Sequence, residues 1–310
     1  MSVTKGLARS AVKQRIEATS GVPPFSREIL GVRLRLLQLE RAPRVALGPG
    51  ELLGKGCELV FSSICWSAGN PVPLSALVDA SVVLGEMPDG DVLSFELAGK
   101  QLPSEHKFTT TLTTLFPLPE YQGQPVQQQV WLKSAQRVEL APQVNLDDAT
   151  LSLNNALQKE RAQAVEARAS EAVLTTLGVR LGLVPAEEMV HARALEMWAT
   201  IDQPRLQALG LDEPTLRRAR GAWLASKGIT DWASRQLQAS AVLKALFETE
   251  VLDEKLAASE AEATLKALGV TAEQLGKATP GQAEQVYSHA VVIAARRQLM
   301  QLHCVTITDR

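Results

Sequence analysis

Cysteine, histidine and aromatic side chains are all scarce in this chain, and each shortage argues against a class of function. The three cysteines, Cys57, Cys65 and Cys304, show no metal-type pairing. An odd, sparse set argues against a disulfide framework and for buried thiols in a reducing, cytoplasmic setting. Four histidines, His106, His191, His289 and His303, leave few players for general acid–base chemistry. No apolar run approaches the roughly 18–20 residues of a membrane span. An excess of positive charge is also missing: 32 Lys plus Arg stand against 34 Asp plus Glu, for a net charge of -2. That balance gives no global electrostatic grip on nucleic acid. What is present is an ordinary folded composition, 45% hydrophobic and 21% charged, over 310 residues, enough for two domains.

One stretch imitates a phosphate-binding loop. In "GPGELLGKGC", Gly48 and Gly54 enclose five residues where that loop needs four, and Lys55 is followed by Gly56 and Cys57 in place of a magnesium-binding hydroxyl. Glu51 would set a carboxylate against the phosphates, and the following "CELVFSSICW" has strand character. The segment reads as a Gly/Pro turn between two strands.

Other short motifs lack their companions. Glu188 and His191 form an E-x-x-H pair on one helical face, but Glu284 and His289, five apart, do not supply the second pair that a di-iron bundle requires. Ser104 and Lys107 match S-x-x-K without a Ser-Asp-Asn or Lys-Thr-Gly partner. No cofactor motif is found, so no cofactor is expected. Trp66, Trp131, Trp198, Trp223 and Trp232 lie in strand or helix patterns that favour packing over recognition.

The N-terminus carries Lys5, Arg9, Lys13 and Arg15 and no acid before Glu17. Val3, Leu7 and Ala11 recur on one stripe, and the first three basic residues on another. This predicts a basic amphipathic helix over an arm at 1–28, ended by Gly21 and Pro23-Pro24. A transit peptide, an anionic-surface anchor, a partner-docking arm and a plain surface helix all fit it; the lack of an apolar core region speaks against a secretory signal.

From residue 29 to 146 the period is two. "VRLRLLQL" alternates Val32, Leu34 and Leu36 with arginines, "DVLSFELAG" alternates Leu93, Phe95 and Leu97 with polar residues, and "KFTTTLTTLF" places Phe108, Leu112 and Phe116 on one face. About seven such segments at regular turn spacing predict an antiparallel β-sandwich-like domain. From 147 to 310 the composition turns helical, with Gly178 placed to cap the first long helix, and the expected class is α+β with an all-helical C-terminal domain.

Within the helical part a turn recurs. "LQALGLDEPTLRRA", "LASKGITDWASRQ" and "LKALGVTAEQLGKA" each place Gly (Gly210, Gly228, Gly269) at a C-cap, then an apolar residue, then Asp212, Thr230 or Thr271 at the next N-cap. Thr271 with Gln274 and Thr279 with Gln282 read as capping boxes. The stretch from Leu265 to Gln282 resembles the helix-hairpin-helix families, and the resemblance implies contact with a DNA or RNA backbone through hairpin amides. Thr271 and Asp212 stand where that contact favours Gly, and Asp212 and Glu213 add repulsion.

The expected function is therefore non-catalytic: a structural or adaptor protein that meets protein partners, or itself, within a larger assembly. Its candidate contacts are Lys5, Arg9, Lys13 and Arg15 on the arm and Arg217, Arg218 and Arg220 in "LRRARGAWLASKG". The alternatives are a nucleic-acid-associated adaptor and an enzyme with a dispersed site.

Overall fold

The computed structural model describes residues 3–14, 16–19, 22, 27–47, 50–86, 92–139, 147–267, 270, 280–302 and 306–308. In chain order the elements are α1 (Lys5–Lys13), β1 (Glu17–Thr19), α2 (Arg27–Arg41), β2 (Arg44–Ala46), β3 (Cys57–Ser67), β4 (Asn70–Pro71), β5 (Leu77–Val83), α3 (Val92–Leu97), β6 (Ser104–Thr111) and β7 (Pro125–Val138). There follow α4 (Asp147–Arg180), α5 (Glu187–Met197), a π-helical turn (Trp198–Asp202), α6 (Gln203–Ala208), α7 (Glu213–Ala225), α8 (Lys227–Glu248), α9 (Glu254–Ala267), α10 (Pro280–Leu302) and β8 (Thr306–Thr308). The class is α+β: an antiparallel six-stranded sheet, then a largely helical C-terminal region. Two compact units are formed, one from Met1–Phe25, Leu157–Ala186 and Ser234–Arg310, the other from Ser26–Ala156 and Glu187–Ala233.

In the second unit β3 and β7 lie at the centre of the sheet, paired from Cys57↔Arg137 to Trp66↔Gln127. The outer side of β7 takes β6 and β2, and the outer side of β3 takes β5 and the short β4. Leu59, Phe61, Val82, Val130 and Leu132 are buried in one core with Leu53, Leu84 and Leu97. A two-residue turn, Ala68-Gly69, joins β3 to β4 with φ of 48° and 77°, the positive pair that suits the twist of a hairpin. The segment containing Glu51, Gly54 and Lys55 connects β2 to β3; Gly48 and Pro49 lie outside the described residues.

Two segments expected as strands are helices. "VRLRLLQL" belongs to α2, because its leucines also satisfy helical spacing and its Leu, Arg, Gln and Glu residues are good helix formers. Leu39 is buried with Ala42 and Val138. In α3 the helical period separates residues that alternation had grouped: Leu97 is fully buried and Leu93 packs on the same core, while Phe95 is 83% exposed.

A π-helical turn interrupts the helices of this unit between α5 and α6. The Gln203 N–H bonds the Trp198 carbonyl, and Pro204, having no N–H, cannot restore the ordinary ladder, so the chain takes a wide π turn before α6. Trp198 and Trp223 meet edge to face at 5.9 Å, and the Trp223 Nε1–H donates to the Ala194 carbonyl at 2.8 Å. The indole is fully buried with its polar atom satisfied.

The first unit is built on a helical core of Val173, Leu174, Leu177, Val242, Leu246 and Leu299, into which α1 inserts Ala8, Ala11 and Val12. The buried stripe of α1 is thus shifted from the expected one, and Leu7 is 46% exposed. β1 and β8 pair in parallel, from Glu17↔Thr306 to Thr19↔Thr308. Gly178 does not end α4. It lies inside the helix, where an added Cβ would fall 2.4 Å from Gln238 Cδ; Gln238 donates to the Leu183 carbonyl at 2.9 Å, and Gly182, with φ of 65°, follows the helix end.

The recurrent glycine turn takes two forms. Gly210 has φ of 72° and Asp212 accepts the Thr215 N–H at 3.0 Å, as capping predicts. Gly228 instead sits in the first turn of α8, against Leu118 and Glu120, and Thr230 returns its hydroxyl to the Ser226 carbonyl. Gly269, Thr271, Gln274 and Thr279 lie outside the described residues, as does the Gln282 side chain.

Candidate functional site

The sequence "LVDASVV" forms β5 because three of its seven residues are valine, which suits a pleated surface. Among the described residues it pairs with β3 on one side and with no strand on the other. The Leu84 N–H donates to the Cys57 carbonyl and the Gly56 N–H to the Leu84 carbonyl, both at 2.9 Å, which sets the phase of the ladder. By alternation Ala80 and Val82 turn their amides toward β3, while Ser81 and Val83 turn theirs outward. The Val83 carbonyl accepts from the Glu86 N–H at 3.3 Å. The Ser81 N–H and C=O and the Val83 N–H form the free outer edge among the described residues.

Regular pairing ends at a bulge in β5, which spends three residues from Ala80 to Leu77 where β3 spends two from Phe61 to Ser63. Within it Asp79 takes φ of 51°, donates its N–H to Ser62 Oγ at 3.2 Å and holds Lys133 Nζ at 2.5 Å. The usable edge is therefore the stretch from Ala80 to Val83.

A groove of about 430 Å³ follows this edge. All four residues from Ala80 to Val83 line it. Because successive side chains of a strand point to opposite faces, such a cavity runs along the strand's backbone edge. Leu36 and Leu39 of α2, Leu93 of α3, Phe61 and Leu77 supply apolar walls, and Leu36 and Leu77 are 38% and 45% exposed.

Two arginine forks fix the rim. Arg44 donates through Nε and Nη2 to Glu58 at 2.9 and 3.3 Å, and through Nη1 to the Ala42 carbonyl at 2.6 Å. Arg35 donates through Nε and Nη2 to Glu86, both at 2.8 Å, tying α2 to the segment after β5. The fork from Arg35 holds the Glu86 carboxyl below its ordinary range against the opposing effect of burial, and Arg44 does the same for Glu58 with help from the Ser81 hydroxyl. Both pairs are ionised and mutually neutralised at neutral pH. The lining thus offers backbone hydrogen bonds and apolar contact.

The basic residues predicted from sequence fall into two sets in different units. Lys5, Arg9 and Lys13 are exposed on α1, and Lys5 pairs with Glu250. Arg217, Arg218 and Arg220 are exposed on α7, where Arg218 donates to Thr215 Oγ1 at 3.0 Å. Arg15 lies outside the described residues. At the start of α7 the Asp212 carboxylate already occupies an N-terminal amide that a phosphate would need.

The weighed catalytic motifs do not assemble. Ser104 and Lys107 are three apart on β6 and so face opposite sides of the sheet; Lys107 pairs with Glu105 at 3.3 Å. Ser104 donates to the Gln101 carbonyl at 2.5 Å and meets His106 Nε2 at 2.8 Å, so its proton is directed to a carbonyl. Burial, then Lys100, lowers the His106 pKa. Glu188 and His191 are both exposed, and the side chains of Glu284 and His289 lie outside the described residues. Cys57 and Cys65 are buried and free, and burial pushes the Cys65 thiol up to about 11; Cys304 lies outside the described residues.

No protein-family model matches this chain, and no curated protein matches it. It is weakly similar to a solved structure of the trigger factor chaperone, reported for promiscuous substrate recognition in folding and assembly activities. The identity is 14% over 93% of this chain and 73% of that one, and the TM-score is 0.30. Similarity at that level does not extend to function. Among the described residues no helix is long and apolar enough to cross a membrane.

Sequence reasoning missed the β5 groove. The run of valines marks a strand, but its place at a sheet edge depends on which distant strands pair.

Proposed function

We propose that this chain is a non-catalytic adaptor that binds other proteins, taking an extended, mainly apolar segment of its partner as an added strand along β5. The observation that carries this reading is the course of the groove. It combines outward amides at Ser81 and Val83 with apolar walls above and below them, which are the two components of strand addition. Main-chain bonds supply affinity without reading sequence, and the walls select alternate apolar side chains. The neutralised rim disfavours charged residues in the segment. The exposed arginines Arg217, Arg218 and Arg220 and the basic residues Lys5, Arg9 and Lys13 are proposed as further contacts for acidic surfaces of the partner.

Ser81→Pro tests the reading. Proline removes an N–H that points away from β3, a position where an edge strand tolerates it. A fluorescent peptide of alternating valine and threonine should bind the native chain saturably and lose that binding in Ser81→Pro, while the variant's far-ultraviolet circular dichroism is unchanged. Equal binding by a folded Ser81→Pro variant would refute strand addition. Dimerisation of the native chain abolished by the same substitution would make a second copy the occupant in place of a partner's segment.

A further inference from the structure

The link between β4 and β5 is a strained turn beside a buried carboxyl. The Ser75 N–H donates to the Val72 carbonyl at 3.3 Å, closing a turn with Pro73 and Leu74 at its centre. Leu74 takes φ of 64°. Proline in the second place and a positive φ in the third make this the type II form, which favours glycine where this chain has leucine. The type I form differs by a flip of the Pro73–Leu74 peptide and gives the third residue an ordinary negative φ. The strain therefore persists only because something holds that peptide.

The ends of the turn are fastened to β3 and do not depend on the central peptide. The Val72 N–H donates to the Cys65 carbonyl at 2.8 Å, and Ser75 Oγ accepts the Cys65 N–H at 3.1 Å while donating to the Val72 carbonyl at 2.7 Å. The middle is held by Asp202 of the π turn, whose Oδ2 accepts the Leu74 N–H at 3.4 Å. Asp202 is buried, and its Oδ1 has no hydrogen-bond partner among the described residues. Few charges act on it. Arg205 of α6, itself exposed, favours the ionised form. The turn contains no ionisable side chain. Arg193 and Glu196 of α5 pair with each other at 2.9 Å, and Asp79 of β5 pairs with Lys133. Glu187, Glu188 and His191 of α5 are exposed, as are Glu213 and the three arginines of α7.

We propose that Asp202 and the Pro73–Leu74 peptide form a proton-driven switch. Ionised, the carboxylate accepts from the Leu74 N–H and keeps the turn in its type II form. On taking a proton from solvent the carboxyl becomes a donor, the peptide flips, and the new O–H bonds the Pro73 carbonyl that the flip turns toward it. The two charge states thus bind opposite groups of one peptide, which is the differential interaction that a switch requires. Relief of the leucine strain adds to the type I side. Burial pushes the carboxyl up to about 6, which sets the transition there. The switch lies just before Leu77, an apolar residue of the β5 groove, and does not rest on strand addition there.

The test is nuclear magnetic resonance of the full chain at pH 4.5 and pH 7.5, on either side of the transition. The cross-peak between the Pro73 Hα and the Leu74 amide proton is strong in a type II turn and weak in type I. In the native chain it should be strong at pH 7.5 and largely lost at pH 4.5. Asp202→Asn, whose side chain does not change charge, should give one intensity at both values. Leu74→Gly should keep the strong cross-peak at both, because glycine takes a positive φ without strain. Equal intensities at the two pH values in the native chain would overturn the proposal, and so would a pH-dependent loss that survives in Asp202→Asn. The native measurement decides the matter by itself even where a variant fails to fold.

Discussion

Asp202 is a buried carboxyl with one oxygen left without a hydrogen bond among the described residues. It is 2% exposed, accepts the Leu74 N–H at 3.4 Å through Oδ2, and has no partner for Oδ1. Burial pushes its carboxyl from 3.8 up to about 6, with the Leu74 amide and Arg205 opposing. The folded state therefore holds this proton more tightly than the unfolded chain, so stability is greatest below the unfolded value and falls as pH rises through about 6. Asp202→Asn removes that dependence. Its stability relative to the native chain should rise by about 2 kcal/mol between pH 4.5 and 7.5, measured by urea unfolding. A difference independent of pH would contradict the assignment. Glu120 is the opposite case. Burial disfavours its charge, but the Ser226 hydroxyl at 2.5 Å and the Gly228 N–H at 3.1 Å win, and the pKa falls. Glu120→Ala removes the acceptor of the Gly228 N–H and of the Ser226 hydroxyl, leaving the Ser226 Oγ bond to the Ile229 N–H as the cap of α8, and should cost about 1 kcal/mol in thermal unfolding.

Among the elements, α1 sets charge against burial. Its basic residues are exposed and its alanines are enclosed. Lys5→Gln should change stability by less than about 0.5 kcal/mol, as exposed pairs do. Ala8→Asp places an unpaired charge at a position with 0% exposure and should lower stability by several kcal/mol in chemical denaturation. A small effect of Ala8→Asp would show that α1 leaves the core readily. Legibility also differed by element. Helical composition from Asp147 onward and the capping of α7 by Asp212 were readable, because both rest on local physics. Alternation failed in α2 and α3, where leucines two, three and four apart satisfy both periods and tertiary packing decides. Gly178 and Gly228 were read as caps, yet close approach by Gln238 and by Glu120 explains them, which local sequence does not encode.

For the whole molecule, the α+β class was legible because period and composition change along the chain. The groove was not legible. It arises from strand order, from a bulge, and from ion pairs joining residues 51 and 14 positions apart. Arg35→Ala should loosen the α2 wall and weaken peptide binding severalfold with little change in the sheet, read by anisotropy and circular dichroism. The most direct measurement is amide hydrogen exchange at single-residue resolution, with and without saturating alternating valine–threonine peptide. Strand addition requires new protection at Ser81 and Val83, with Ala80 and Val82, already bonded to β3, unchanged. Protection that appears elsewhere while those two amides exchange as before would contradict it.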